Sequence, residues 1–157
     1  MKNKKNAKVN KAIKFKRIFL FLLICIWAVM VFNFSSQNGE ESSGLSRKIV
    51  EIFIKSEEIV DKVEPYARKI AHFSEYALGG MLFTALFNTY SWPDRKIIAT
   101  SILLGIWYAI TDEFHQLLVP DRHGSFFDVY LDSLGFATGV FCMILIIKLI
   151  KLIKNKR

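Results

Sequence analysis

What this chain has little of narrows its reading early. Only two of its 157 residues are cysteine, Cys25 and Cys142, each set inside an apolar run. They do not form a CxxC pair, so neither a disulfide framework nor a thiolate metal centre is indicated, and both read as apolar packing residues. The three prolines, Pro65, Pro93 and Pro120, punctuate the chain rather than fill it. No internal repeat or low-complexity segment stands out beyond the Lys-rich ends, which excludes solenoid arrays and proline-rich spacers. There is no His-Glu-x-x-His, and no Ser or Cys has an evident base partner in the sequence. The first 17 residues contain no acid. The apolar run behind them leaves through Asn33-Phe34-Ser35 with no small-x-small cleavage site, so it reads as a retained anchor rather than a signal peptide.

What is present is apolar. At 52% apolar content with 14 phenylalanines, 157 residues are too few for two soluble domains and too hydrophobic for disorder. Four segments approach or exceed the roughly 20 residues that cross a bilayer: 18–34, 70–90, 97–119 and 126–150. The expected class is therefore all-α: a polytopic membrane protein with four transmembrane helices in residues 18–153, between basic cytoplasmic tails at 1–17 and 154–157. Eight Lys/Arg precede the first span, five lie between Lys148 and Arg157, and Arg95 and Lys96 occupy the middle loop. Together these are 15 of the 22 basic residues, whereas residues 35–69 balance six basic against seven acidic ones. This asymmetry predicts both termini on the cytoplasmic side of a cell membrane. The net +8 is accordingly a topology signal rather than a nucleic-acid footprint, since the lysines sit on tails and helix ends and not on one face of a folded module.

Between the first two spans, a polar exit and a serine-rich loop lead to Leu45, Ile49, Ile52 and Phe53, which recur at helical spacing among charged residues. They predict a short amphipathic helix, either lying on the outer membrane surface or packed over the spans as a lid. Pro65 fits a first helical turn, so the second span is expected to begin near Tyr66. Ser125 is spaced to cap the last helix, with Asp128 completing the cap. The last span continues through Asp128, Asp132, Gly135 and Gly139, a Gly-x-x-x-Gly stripe open to another helix or to a second copy of the chain.

The costly residues lie inside the spans. Thr111-Asp112-Glu113-Phe114-His115-Gln116 places two carboxylates in an otherwise apolar segment, each at roughly 2.5–3.5 kcal/mol on insertion scales. At 3.6 residues per turn Asp112, His115 and Gln116 share a face, with Tyr108 one turn before and Glu113 about 100° away. With the expected topology, His72 and Glu75 open the second span, Asp112 to Gln116 close the third, Arg122 lies in the joining turn, and Asp128 and Asp132 open the fourth. Ser35, Ser36 and Gln37 leave the first span at the same depth. A candidate polar site therefore comprises His72, Glu75, Asp112, Glu113, His115, Gln116, Arg122, Asp128 and Asp132, with Ser35, Ser36 and Gln37 as possible accessories. Five carboxylates against one fixed cation point to a missing positive partner, either a ligand or an ion. His72, Glu75, Asp112, Glu113 and His115 are the candidate ligands for a divalent metal. A satisfied network tying four helices together is the competing reading.

These residues, in this order, resemble the VanZ-like family, named for a teicoplanin-resistance determinant. The resemblance rests on Phe34-Ser35-Ser36-Gln37, on Lys69-Ile70-Ala71-His72-Phe73-Ser74-Glu75-Tyr76, on Asp112-Glu113-Phe114-His115-Gln116, and on Val119-Pro120-Asp121-Arg122 leading to Asp128, Asp132, Gly135 and Gly139. Asp121 stands where similar members usually carry Gly. The resemblance implies a small integral membrane protein of the bacterial cell envelope, some relatives being linked to glycopeptide susceptibility. It supplies no reaction. Three classes of function stay open: a protein binding a lipid headgroup or cell-wall precursor, a membrane-embedded enzyme using a divalent ion or a carboxylate pair, and a small transporter.

Overall fold

The computed structural model describes residues 2–37, 39–120 and 124–156, with side chains from residue 6 onward except 39–42. They form five helices: α1 (Lys2–Ser35), α2 (Gly39–Phe53), α3 (Glu57–Asn88), α4 (Asp94–Gln116) and α5 (Phe126–Asn155). Three are long and apolar enough to cross a membrane: Asn6–Ser35, Asp94–Gln116 and Phe126–Asn155. Their outward faces carry exposed residues such as Phe21, Trp107 and Phe141, apolar surface that a bilayer would cover. The basic N-terminal segment continues the first helix rather than trailing from it.

Residues 70–90 lie mostly in α3, which does not meet the length-and-composition criterion for a span. The reason is its position. α3 packs against α1, α2, α4 and α5, so much of its surface faces protein and carries His72, Glu75, Tyr76, Gly79 and Gly80 in place of lipid-compatible side chains. α3 also starts earlier than expected. It begins at Glu57 and runs straight through Pro65, which lies in the helix interior and not in a first turn. Pro65 is exposed, so the Asp61 carbonyl that loses its helical donor remains near solvent.

The continuity of α3 is supported by α2, which likewise begins earlier than expected, at Gly39 instead of after a serine loop. Val50 of α2 and Val60 of α3 are both buried. Arg47 bridges Glu51 on its own helix and Asp61 on α3, and Arg68 donates to Ser43 Oγ at 3.1 Å. Of the two readings of the amphipathic helix, the lid packed on a neighbour describes its contact with α3. Leu45, Ile49, Ile52 and Phe53 remain exposed on its other side.

The core is built on Trp27. Its ring lies against Tyr76, Phe83, Tyr108 and Phe136, while its indole N–H donates to the Glu75 carbonyl at 2.7 Å. Gly79 makes room for the ring, since a Cβ there would meet it at 2.4 Å. The glycine stripe of α5 is used within the chain. Gly135 faces the Phe73 backbone and Gly139 the Ala77 backbone, so of the two partners open to the stripe, another helix or a second copy, these glycines meet α3 of the same chain. At the opposite end Arg17 grips Thr89 through the carbonyl at 2.8 Å and the hydroxyl at 3.1 Å. Its guanidinium lies over Tyr90, tying α1 to the α3–α4 turn.

Candidate functional site

The α4 polar run is not presented on one surface. Asp112, Glu113 and Gln116 are buried and His115 is half-buried, and each turns to a different neighbour. Asp112 faces the interior and accepts from Gln116 Nε2 at 3.3 Å. Glu113 leans toward the start of α5, where its Oε2 accepts the Ser125 backbone N–H at 2.7 Å. His115 turns to α1, stacking on Phe32 with ring centroids 4.4 Å apart and placing Nε2 3.0 Å from Ser36 Oγ. The helix rotates 100° per residue, so consecutive polar residues reach three different partners.

Around Asp112 the interior does gather the acids expected there. Glu75, Tyr76, Tyr108 and Asp132 all lie within its electrostatic reach, and Asp132 also interacts with Glu113, Asp128 and Glu75. Glu75 Oε2 and the Tyr76 hydroxyl are fully buried without a hydrogen bond of good geometry, although Tyr76 stands beside Asp112. Buried polar atoms are satisfied in the great majority of cases, and here two unsatisfied ones lie on adjacent residues. Tyr108 reaches across to the Ala28 carbonyl at 2.9 Å, making one wall rigid. His72 Nδ1 is 3.8 Å from Glu75 Oε2, and Lys69 Nζ is 3.8 Å from Asp128 Oδ1.

Several expectations change here. Asp128 does not complete the cap of α5. Ser125 Oγ accepts from Phe127 N as a cap should, but the Ser125 N–H is taken by Glu113 from another helix, leaving Asp128 to Lys69. The five metal candidates His72, Glu75, Asp112, Glu113 and His115 do not converge. Among the described residues no three His, Cys, Asp or Glu side chains are grouped as a metal cage requires, because Glu113 and His115 turn away from Asp112. Ser36 does have a base partner, His115, contributed by a helix 79 residues away. Ser35 is fully buried with its hydroxyl unpartnered, and Gln37 is half-buried where α1 ends. Arg122, with Asp121 and His123, lies outside the described residues.

Lys69, Tyr76 and Trp27 contact members of the candidate set, at Asp128, Asp112 and the Glu75 carbonyl, and were absent from it. Lys69 had a legible signal, since it shares a helical face with His72 and Tyr76. An apolar groove of about 430 Å³ runs between α4 and the start of α5, lined by Ile110, Phe114, Leu117, Phe126 and Val129, with Glu113 and Ser125 in its wall.

Compared with known proteins, the chain matches a family model described as VanZ/LLP1 over residues 19–148. No curated protein and no solved structure matches it.

Proposed function

The chain belongs to the VanZ/LLP1 family, and from that premise we propose that it is a cell-envelope membrane protein that holds the headgroup of a lipid or lipid-linked precursor at the acid cluster around Asp112. In this reading α1, α3, α4 and α5 all cross the bilayer, both termini are cytoplasmic, and the cluster is reached from the outer leaflet. The observation that carries the proposal is the pair of buried, unsatisfied acceptors and donors, Glu75 Oε2 and Tyr76 Oη, beside the Asp112 and Asp132 carboxylates. A headgroup with a protonated amine and hydroxyls supplies what they lack: positive charge for the acids and partners for the orphaned oxygens. The groove along Phe114 and Phe126 is adjacent and apolar, the surface an acyl chain requires. Retention of such molecules is a route by which the protein could shift glycopeptide susceptibility, as the family resemblance implies.

The test compares purified wild type with Asp112→Asn. Thermal unfolding is followed in micelles doped with phosphatidylethanolamine or with phosphatidylglycerol. The amine lipid should raise the wild-type midpoint and leave Asp112→Asn unmoved, with intrinsic stability of the variant equal or higher because one crowded charge is gone. Equal response of both proteins to both lipids would remove the Asp112 cluster from ligand binding. A variant that is simply unstable would favour the helix-tying network instead.

A further inference from the structure

Ser36 and His115 form a pair that the reading of the Asp112 cluster does not use. Ser36 Oγ sits just past the last turn of α1, exposed, 3.0 Å from His115 Nε2. The same oxygen lies 2.7 Å from the Phe32 carbonyl, so rotation of the hydroxyl hydrogen alone switches the serine between bonding its own helix and bonding the imidazole. The imidazole is held by its stack on Phe32, which sets the ring plane and keeps Nε2 aimed at the serine. Nucleophile and base within 2.6–3.2 Å, with the base oriented by a third group, is the arrangement that activates a serine. In this chain the third group is an aromatic face rather than a carboxylate.

The depth of the pair supplies the substrate class. α1 ends at Ser35 and α4 at Gln116, and both are long and apolar enough to cross a membrane, so in the topology proposed above Ser36 and His115 stand at the outer ends of two spans. Carboxylic ester linkages of membrane lipids lie in this interfacial layer, between acyl chains and headgroups. Ser35 next to the pair is fully buried with an unpartnered hydroxyl.

We propose that Ser36 and His115 are a nucleophile–base dyad that cleaves an ester of a lipid at the membrane surface. Ser36 Oγ attacks the ester carbonyl carbon as its proton passes to His115 Nε2. Collapse breaks the carbon–oxygen bond to the alcohol, which leaves with that proton. Water then attacks the acyl-serine, giving a proton to Nε2. The acyl–Oγ bond breaks, Ser36 recovers the proton, and a carboxylic acid departs. The net change is ester plus water to acid plus alcohol, with no redox step. The dyad is tested by covalent modification of Ser36 and the Asp112 cluster by lipid-dependent stability, so the two readings fail separately.

The experiment is covalent labelling of the purified full chain by a fluorophosphonate bearing an alkyl tail, with the modified residue located by peptide mass spectrometry. Labelling should map to Ser36, vanish in Ser36→Ala, persist in Ser35→Ala, and slow on the order of 100-fold in His115→Gln, the usual contribution of a positioned general base. Equal labelling of His115→Gln, or none at Ser36, overturns the proposal. In case loss of the Phe32 stack unfolds His115→Gln, a second variant keeps the test open. Ser36→Cys, with Cys25 and Cys142 changed to Ser, should be alkylated by iodoacetamide with a pH midpoint below the ordinary thiol value of about 8.5. A midpoint at or above that value overturns the dyad.

Discussion

Replacing Gly139 by Ala adds one methyl group at the tightest point of the helix packing. The new Cβ would lie 1.8 Å from the Ala77 carbonyl oxygen, 2.7 Å from the carbonyl carbon and 2.9 Å from Cα. All three are backbone atoms of α3, so no side-chain rotation relieves the clash. Restoring an ordinary contact of 3.4 Å from 1.8 Å requires α3 and α5 to separate locally by about 1.6 Å. That movement is felt along the seam, because Gly135 is seated on the Phe73 backbone and Gly80 on the Phe136 carbonyl of the same helix pair. Overpacking of this kind costs about 1–3 kcal/mol, and the rigidity of both partners places Gly139→Ala at the upper end. At about 2–4 °C per kcal/mol for a chain of this size, the midpoint of thermal unfolding in detergent should fall by about 6–12 °C. Trp27, packed on Gly79 of α3, offers an intrinsic fluorescence signal. Ala137→Leu, two residues away on a half-buried face, should shift the midpoint by less than half as much. Equal midpoints for the two variants would refute the reasoning, since the seam would then not be what holds α3 to α5.

Orientation is checked by single-cysteine labelling in intact cells. A cysteine at Glu58 should react with an impermeant maleimide and one at Lys154 should not, and outside labelling at Lys154 would reverse the topology. Glu113 acts as a fastener for the start of α5. Glu113→Ala, which leaves the Ser125 N–H without its acceptor, should lower unfolding stability by about 1–3 kcal/mol, while Glu113→Gln, whose side-chain carbonyl can still accept, loses less. Identical unfolding curves for both variants would show that the bond contributes nothing.

Properties decided by composition along the chain were legible in the sequence. The apolar runs of α1, α4 and α5 declare themselves because a helix facing lipid must be apolar along its length, and the glycines at 135 and 139 announce a close helix contact. The same logic read 70–90 as a fourth span, whereas α3, packed against four other helices, carries polar residues where it meets protein and is not apolar enough to be assigned as one by composition. The acids Glu75, Asp112 and Asp132 were expected together only by way of the topology read from the basic residues, and the structure brings them within electrostatic reach of one another. Which way each polar residue turns was decided only by the tertiary structure. Glu113 finds Ser125, Lys69 finds Asp128 and His115 finds Ser36, partners separated by 12, 59 and 79 positions. One residue of helix is a rotation of 100°, and the choice among neighbours at that rotation depends on where the other helices stand. Helical periodicity places a residue on a face, and helix packing determines what that face meets.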